Sequence, residues 1–184
     1  MTALDRLLVE LAKGFRERHI RYGIGGSRLL QFHGIDVQPH DLDFILDIAD
    51  FAKADAYLRS IGTPVFVEHD ELYRTGSFSR FEVHGASVDL IADFTISNHD
   101  TRFTYPFSED CLSEPFPLDS EKVSACRLED WYLLYQLMND RKGRVVLIAA
   151  HFRKKGDFDR QRFLALVPDR EQEFEAAIKK ATEK

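Results

Sequence analysis

Tyr22-Gly23-Ile24-Gly25-Gly26-Ser27, followed after a thirteen-residue spacer by Asp41-Leu42-Asp43-Phe44-Ile45-Leu46, sets most of the expectations for this chain. Arg21–Ile24 reads as a short strand that runs into the paired glycines. Ser27 is placed to cap a short helix over Arg28–Phe32, which Gly34 and Pro39 break. Leu42–Leu46 reads as an apolar strand interrupted by one acid. With both acids on that strand, Asp41 and Asp43 share a face, because side chains two residues apart point the same way.

Working outward, Leu4, Leu7, Leu8, Leu11 and Phe15 recur at helical spacing, so residues 3–18 are expected to form an amphipathic helix. A second helix from Asp50 carries Phe51, Ala54, Leu58 and Ile61 inward and stops at Gly62. Val65–Val67, a segment near Leu72-Tyr73-Arg74, Phe78–Val83 and Ser87–Ile91 read as strands of a mixed sheet, with turns at Gly76 and Gly85. Residues 95–120 show no clear period and read as one long loop, a feature that is often functional. From Leu128 the pattern is helical, with segments near 129–139, 142–154, 157–166 and 169–182, the last starting at Pro168. The expected fold class is α+β. A mixed sheet flanked by helices occupies residues 1–120, and a helical region occupies residues 121–184.

The 184 residues are 44% hydrophobic and include 15 Phe, enough for an ordered core. The net charge of -6 argues against a surface devoted to nucleic acid. Its distribution is uneven: residues 1–120 carry 11 basic and 20 acidic side chains, residues 121–184 carry 14 and 11. Eight basic residues fall between Arg141 and Arg162. A solvated helical face is the ordinary explanation, and help with phosphate charge is the functional one. Cys111 and Cys126 lack metal-ligand spacing and are expected as reduced thiols. With no apolar signal core at the start and no run long enough for a bilayer, the expectation is a cytoplasmic protein without membrane contact.

Asp89 within Ser87-Val88-Asp89-Leu90 is a third acid in a strand-like apolar run. Such acids need a partner or a metal. Asp41, Asp43 and Asp89 are therefore the candidate catalytic and metal-ligating residues, and Gly26 and Ser27 the candidate nucleotide-binding residues. Hard carboxylate oxygens suit magnesium. Two cations shared by Asp41 and Asp43, with Asp89 completing the acceptor side and taking the acceptor proton, can serve nucleotidyl transfer. Gly26 lets backbone approach a phosphate, and a helix N-terminus at Ser27 attracts anions.

Ile24-Gly25-Gly26-Ser27 and Asp41-Leu42-Asp43-Phe44, with Asp89 on a later strand, resemble the signature of the nucleotidyltransferase superfamily. That superfamily includes DNA polymerase beta, the CCA-adding enzymes and the aminoglycoside nucleotidyltransferases. The resemblance covers roughly residues 20–95; within the superfamily it is looser, and Tyr22–Ser27 with His40–Asp43 look similar to small stand-alone enzymes of the antibiotic-modifying and toxin–antitoxin types. It implies metal-dependent transfer of a nucleoside monophosphate from an NTP such as ATP to a small molecule, a protein or an RNA end. Arg28-Leu29 follows Ser27 where the CCA-adding signature has Arg-Asp, so that activity is not implied. Val37-Gln38-Pro39-His40 precedes the first Asp where many relatives place a basic residue and a Ser or Thr. The rival readings are a nucleotide-binding or regulatory protein of the same fold with little catalysis, such as a toxin–antitoxin component, and an RNA-binding module built on residues 141–162. His40 is expected as a turn residue, and Trp131, Tyr132 and Tyr135 as core packing between sheet and helices. His69, His84, His99 and His151 show no metal-ligand grouping.

Overall fold

The structure is a computed structural model that describes residues 1–68, 72, 73, 75–98, 101–138, 140 and 142–183, with the side chains of residues 98 and 101 excluded. Arg74 of an expected strand, His69, His99 and Arg141 lie outside the described residues. The chain divides into two compact units, Met1–Cys126 and Arg127–Lys184.

In the first unit, α1 (Ala3–Glu17) leads into β1 (Tyr22–Ile24), α2 (Gly26–Phe32), β2 (Asp41–Leu46) and α3 (Ile48–Ile61). Three strands follow: β3 (Thr63–Val65), β4 (Ser77–Val83) and β5 (Ala86–Ala92). The five strands form one mixed sheet in the order β1-β2-β5-β4-β3. β2 and β5 run parallel, and the other neighbours are antiparallel.

α1 starts where the spacing predicts. Thr2 and Asp5 close a reciprocal capping box that satisfies two free amides of the first turn. Its Phe15 packs edge-on against Phe44 of β2, with ring centroids 5.0 Å apart, and Tyr22 lies 5.2 Å from Phe15. Asp47 caps α3, which packs on β4 and β5. Leu42, Phe44, Phe81, Val88 and Leu90 are fully buried on this covered face. By strand alternation the opposite face carries Asp41, Asp43, Asp89 and Arg80.

Several expectations change here: the strand expected at Val65–Val67 is found at Thr63–Val65. Ser27 does not cap α2: Gly25 is the N-cap residue and makes no side-chain cap bond. The 95–120 segment is not one loop. It forms hairpin β6 (Thr95–Asn98) with β7 (Thr101–Thr104), a short 3-10 turn at Glu109–Cys111, and hairpin β8 (Phe116–Leu118) with β9 (Glu121–Val123). In the first hairpin buried Ile96 stands opposite Phe103, while the Thr95 and Thr104 hydroxyls hydrogen-bond at 2.8 Å. Alternation over three or four residues is too brief to stand out in a sequence. After β9, the chain returns to the sheet: the Ile24 amide donates to Ser124 and the Cys126 amide to Ile24, which covers the β1 edge. The domain boundary expected after residue 120 falls inside the β8–β9 hairpin, ahead of the division at Cys126.

The second unit comprises α4 (Leu128–Leu137), α5 (Arg144–Lys155), α6 (Arg160–Ala165) and α7 (Glu171–Thr182). Tyr132 sits among Phe152, Phe158 and Phe163, and its hydroxyl donates to the Ala177 carbonyl at 2.8 Å. Arg162 forks onto Asp130, whose side chain is fully buried. Asp159 caps α6, and its own amide donates to buried Glu129. Pro168 lies in the turn before α7 rather than at its start, because the cap falls at Arg170. Among the described residues, no helix is long and apolar enough to cross a membrane.

Candidate active site

The site begins with the register of β2 against β5. Asp41 stands opposite Ser87 and Asp43 opposite Asp89. Directly paired residues on neighbouring strands project to the same side of the sheet. The three acids therefore share the face that α1 and α3 leave uncovered. Asp41 and Asp43 are half-buried, whereas Asp89 is 4% exposed.

The glycine turn is fastened to this cluster. The Gly25 amide donates to the Asp43 carbonyl at 2.8 Å. Gly26 follows with φ of +58°, the left-handed region. A Cβ there would lie 1.8 Å from Oδ2 of Asp43, so the Asp43 carboxylate occupies the space that any other side chain at residue 26 would need. Gly26 is thus required both by its backbone angle and by the acid packed on it. Ser27 is buried at 6% exposure. Next to it, buried Arg28 pairs with Asp5 of α1 at 2.5 Å, donates to Gln31, and lies over the Phe32 ring. Arg28 fastens α2 to α1.

A residue that the sequence reading did not single out completes the cluster. Arg80 of β4 stands opposite Asp89. Its Nε and Nη2 donate to Oδ1 and Oδ2 of Asp89, both at 2.6 Å, a fork that engages both carboxylate oxygens. These hydrogen bonds raise the Arg80 pKa above its ordinary value. Partial burial opposes the rise, and the charges of Asp89, Asp43 and Asp41 add to it. The guanidinium also lies 5.7 Å from the half-exposed Phe78 ring. A signal for Arg80 was available. His84 and Gly85 form a two-residue turn with both φ positive, which sets Val83 against Ala86 and hence Arg80 against Asp89.

Three carboxylates on one face supply the hard oxygen donors that a divalent cation prefers. Among the described residues, no three His, Cys, Asp or Glu side chains stand as a ready metal-ligand group. By donor chemistry the carboxylates of Asp41 and Asp43 suit a divalent cation, while both oxygens of Asp89 are engaged by Arg80.

Three of the eight basic residues of the 141–162 segment are engaged within the second unit. Arg162 is bound to Asp130, Arg160 pairs with Glu171, and Arg153 donates to the Lys180 carbonyl. Tyr132 belongs to that unit's own aromatic core.

No family model and no curated protein matches the chain. Solved structures do. TM1012 of Thermotoga maritima, assigned as a nucleotidyltransferase, matches with a TM-score of 0.62 at 19% identity, covering 85% of this chain and 96% of its own. ANT(2'')-Ia, solved with adenylyl-2''-tobramycin, matches at 0.62 and 10% identity over 94% of this chain and 99% of its own. The chain has the nucleotidyltransferase fold. LnuA, a lincosamide antibiotic adenylyltransferase solved with lincomycin bound, shares this fold at a TM-score of 0.55 and 16% identity, over 82% of this chain and 96% of its own. In the nucleotidyltransferase fold of this chain, the Gly25-Gly26 turn and the β2 acids are neighbours in space as well as in sequence.

Proposed function

We propose that the protein is a metal-dependent nucleotidyltransferase that moves a nucleoside monophosphate from an NTP to a hydroxyl-bearing acceptor. The observation that carries this reading is the placement of Asp41, Asp43 and Asp89 on one sheet face, with Asp43 packed on the Gly26 turn. The fold supports it. ATP as donor and a small molecule as acceptor are supported by the adenylyl-tobramycin and lincomycin complexes of structures with this fold.

In the reaction, the acceptor oxygen forms a bond to the α-phosphorus. The bond from that phosphorus to the β-phosphate oxygen breaks, and pyrophosphate leaves. Asp41 and Asp43 would hold magnesium beside the triphosphate, and Asp43 with Asp89 would hold it beside the acceptor. When bound, magnesium neutralises phosphate charge and acidifies the acceptor hydroxyl. The Gly26 turn brings backbone close to the phosphates, where a side chain would exclude them. Asp89 takes the acceptor proton as the new bond forms. The protein thus works chiefly by positioning and by charge placement.

A second reading, nucleotide binding with little turnover, is favoured by the engagement of both Asp89 oxygens by Arg80. One experiment separates the two: NTP binding and pyrophosphate release with magnesium, in the wild type and in Asp43→Asn. Binding with slow turnover that the variant loses supports the enzyme. Binding without turnover supports the second reading, and absence of NTP binding with magnesium or manganese refutes both.

A further inference from the structure

The guanidinium of Arg80 and a divalent cation compete for the same atoms. Arg80 donates to both Asp89 oxygens in a planar fork, which takes one lone pair on each and sets a full positive charge beside those that remain. Neutralising a nearly buried Asp89 would by itself explain the pair. Two observations point further. Asp89 stands opposite Asp43 on one side and opposite Arg80 on the other, so the arginine charge shares the sheet face of the cluster. The Arg80 side chain is also 36% exposed while that of Asp89 is 6% exposed. The acid is fixed in the sheet, and the arginine has an open side toward which it can withdraw without unpacking the core.

We propose that Arg80 is a displaceable counter-charge: it holds Asp89 in position, and its charge must draw back from the carboxylate for a divalent cation to bind tightly across Asp43 and Asp89. Arg80 then sets the cation affinity of the cluster downward and is a positioning residue for Asp89. The inference rests on the reading of the three acids as a cation site. It makes the occupied state conditional. The positive charge that keeps the acids together is the charge that a cation must replace.

The test uses the full chain and manganese alone, without nucleotide, with free Mn2+ followed by electron paramagnetic resonance. Wild type, Arg80→Gln, Arg80→Lys and Asp43→Asn are compared after circular dichroism confirms folding. Arg80→Gln is expected to bind Mn2+ about tenfold or more tightly than wild type. That is a conservative figure for removing one unit charge a few ångströms from a dication at an effective dielectric of about 20. Arg80→Lys, which keeps the charge, should fall between them, and Asp43→Asn should abolish binding. A residue with a merely structural role would weaken binding when removed. If Arg80→Gln binds no more tightly than wild type while Asp43→Asn still abolishes binding, the counter-charge idea fails and the cation site stands. If neither wild type nor Arg80→Gln shows Asp43-dependent binding, both fall. Should Arg80→Gln not fold, the Arg80 Nε–H resonance of 15N-labelled wild type decides. It should move or broaden during a magnesium titration, and an unchanged resonance at saturation overturns the proposal.

Discussion

Replacing Gly26 with alanine tests the link between the turn and the acids. The added Cβ would sit 1.8 Å from Oδ2 and 2.9 Å from Cγ of Asp43. Ordinary contact begins at 3.4 Å, so the oxygen must retreat by 3.4 − 1.8, about 1.6 Å. The φ of +58° adds about 1–2 kcal/mol of backbone cost for a residue with a Cβ. Displacements near 1 Å at a reacting centre cost about a hundredfold in rate. Gly26→Ala should therefore lose about 1–3 kcal/mol of stability in urea and about a hundredfold or more of magnesium-dependent NTP turnover. Gly34→Ala is the control. Its φ of +75° carries similar backbone strain, but no atom lies within 4 Å of the added carbon. It should lose about 1 kcal/mol and keep manganese affinity. The reasoning is refuted if Gly26→Ala retains turnover and manganese affinity within about twofold of wild type, or if both variants lose manganese affinity equally.

Three further outcomes follow from the buried charges. Arg162→Met removes the guanidinium fork from the fully buried Asp130 carboxylate and should cost about 3–5 kcal/mol in chemical denaturation, part of which Asp130→Asn in the same chain restores. Burial raises the Glu129 pKa above 4.5, with the neighbouring charges of Asp130 and Asp159 adding to the rise. The folded state therefore binds more protons, and this contribution to stability is lost as pH rises above 4.5 through the folded value. Glu129→Gln should flatten that slope in urea titrations across pH and be at least as stable as wild type at about pH 7. Burial pushes the Asp50 carboxyl up, but the Arg21 amide and the Lys53 ammonium outweigh it, and its pKa lies below 3.8. Its stabilisation is present above 3.8 and lost as pH falls through the folded value. The stability gap between wild type and Asp50→Asn should therefore shrink on acidification, as read by thermal melts.

Long periodic segments were legible in the sequence. The apolar repeat of α1, the acids within β2, and the four C-terminal helices are where the pattern places them, because each is decided by contacts a few residues apart. The short hairpins after residue 95 were not legible, since strands of three or four residues carry no sustained alternation. The cap of α2 was misread because Ser27 is drawn into the interior, which leaves the N-cap position to Gly25. Within the candidate site, the shared face of Asp41 and Asp43 follows from strand periodicity alone. The pairing of Asp43 with Asp89 is a tertiary fact that no local rule supplies. Arg80 lay between these cases. Its position opposite Asp89 could be counted from the His84-Gly85 turn, but the significance of that position depends on Asp89 also facing Asp43.

The register of β2 against β5 also acts as a check on the folded chain. A slip of one residue in either strand would turn its acids toward the layer beneath α1 and α3, and would take Phe44 or Leu90 out of that layer. A misaligned chain would then lose its core along with the cluster. Molecules that fold at all consequently carry the acids aligned, without any separate device to proofread the site. Mutational damage to the strand pairing should accordingly appear as a smaller yield of folded protein, rather than as a folded population with a disordered site.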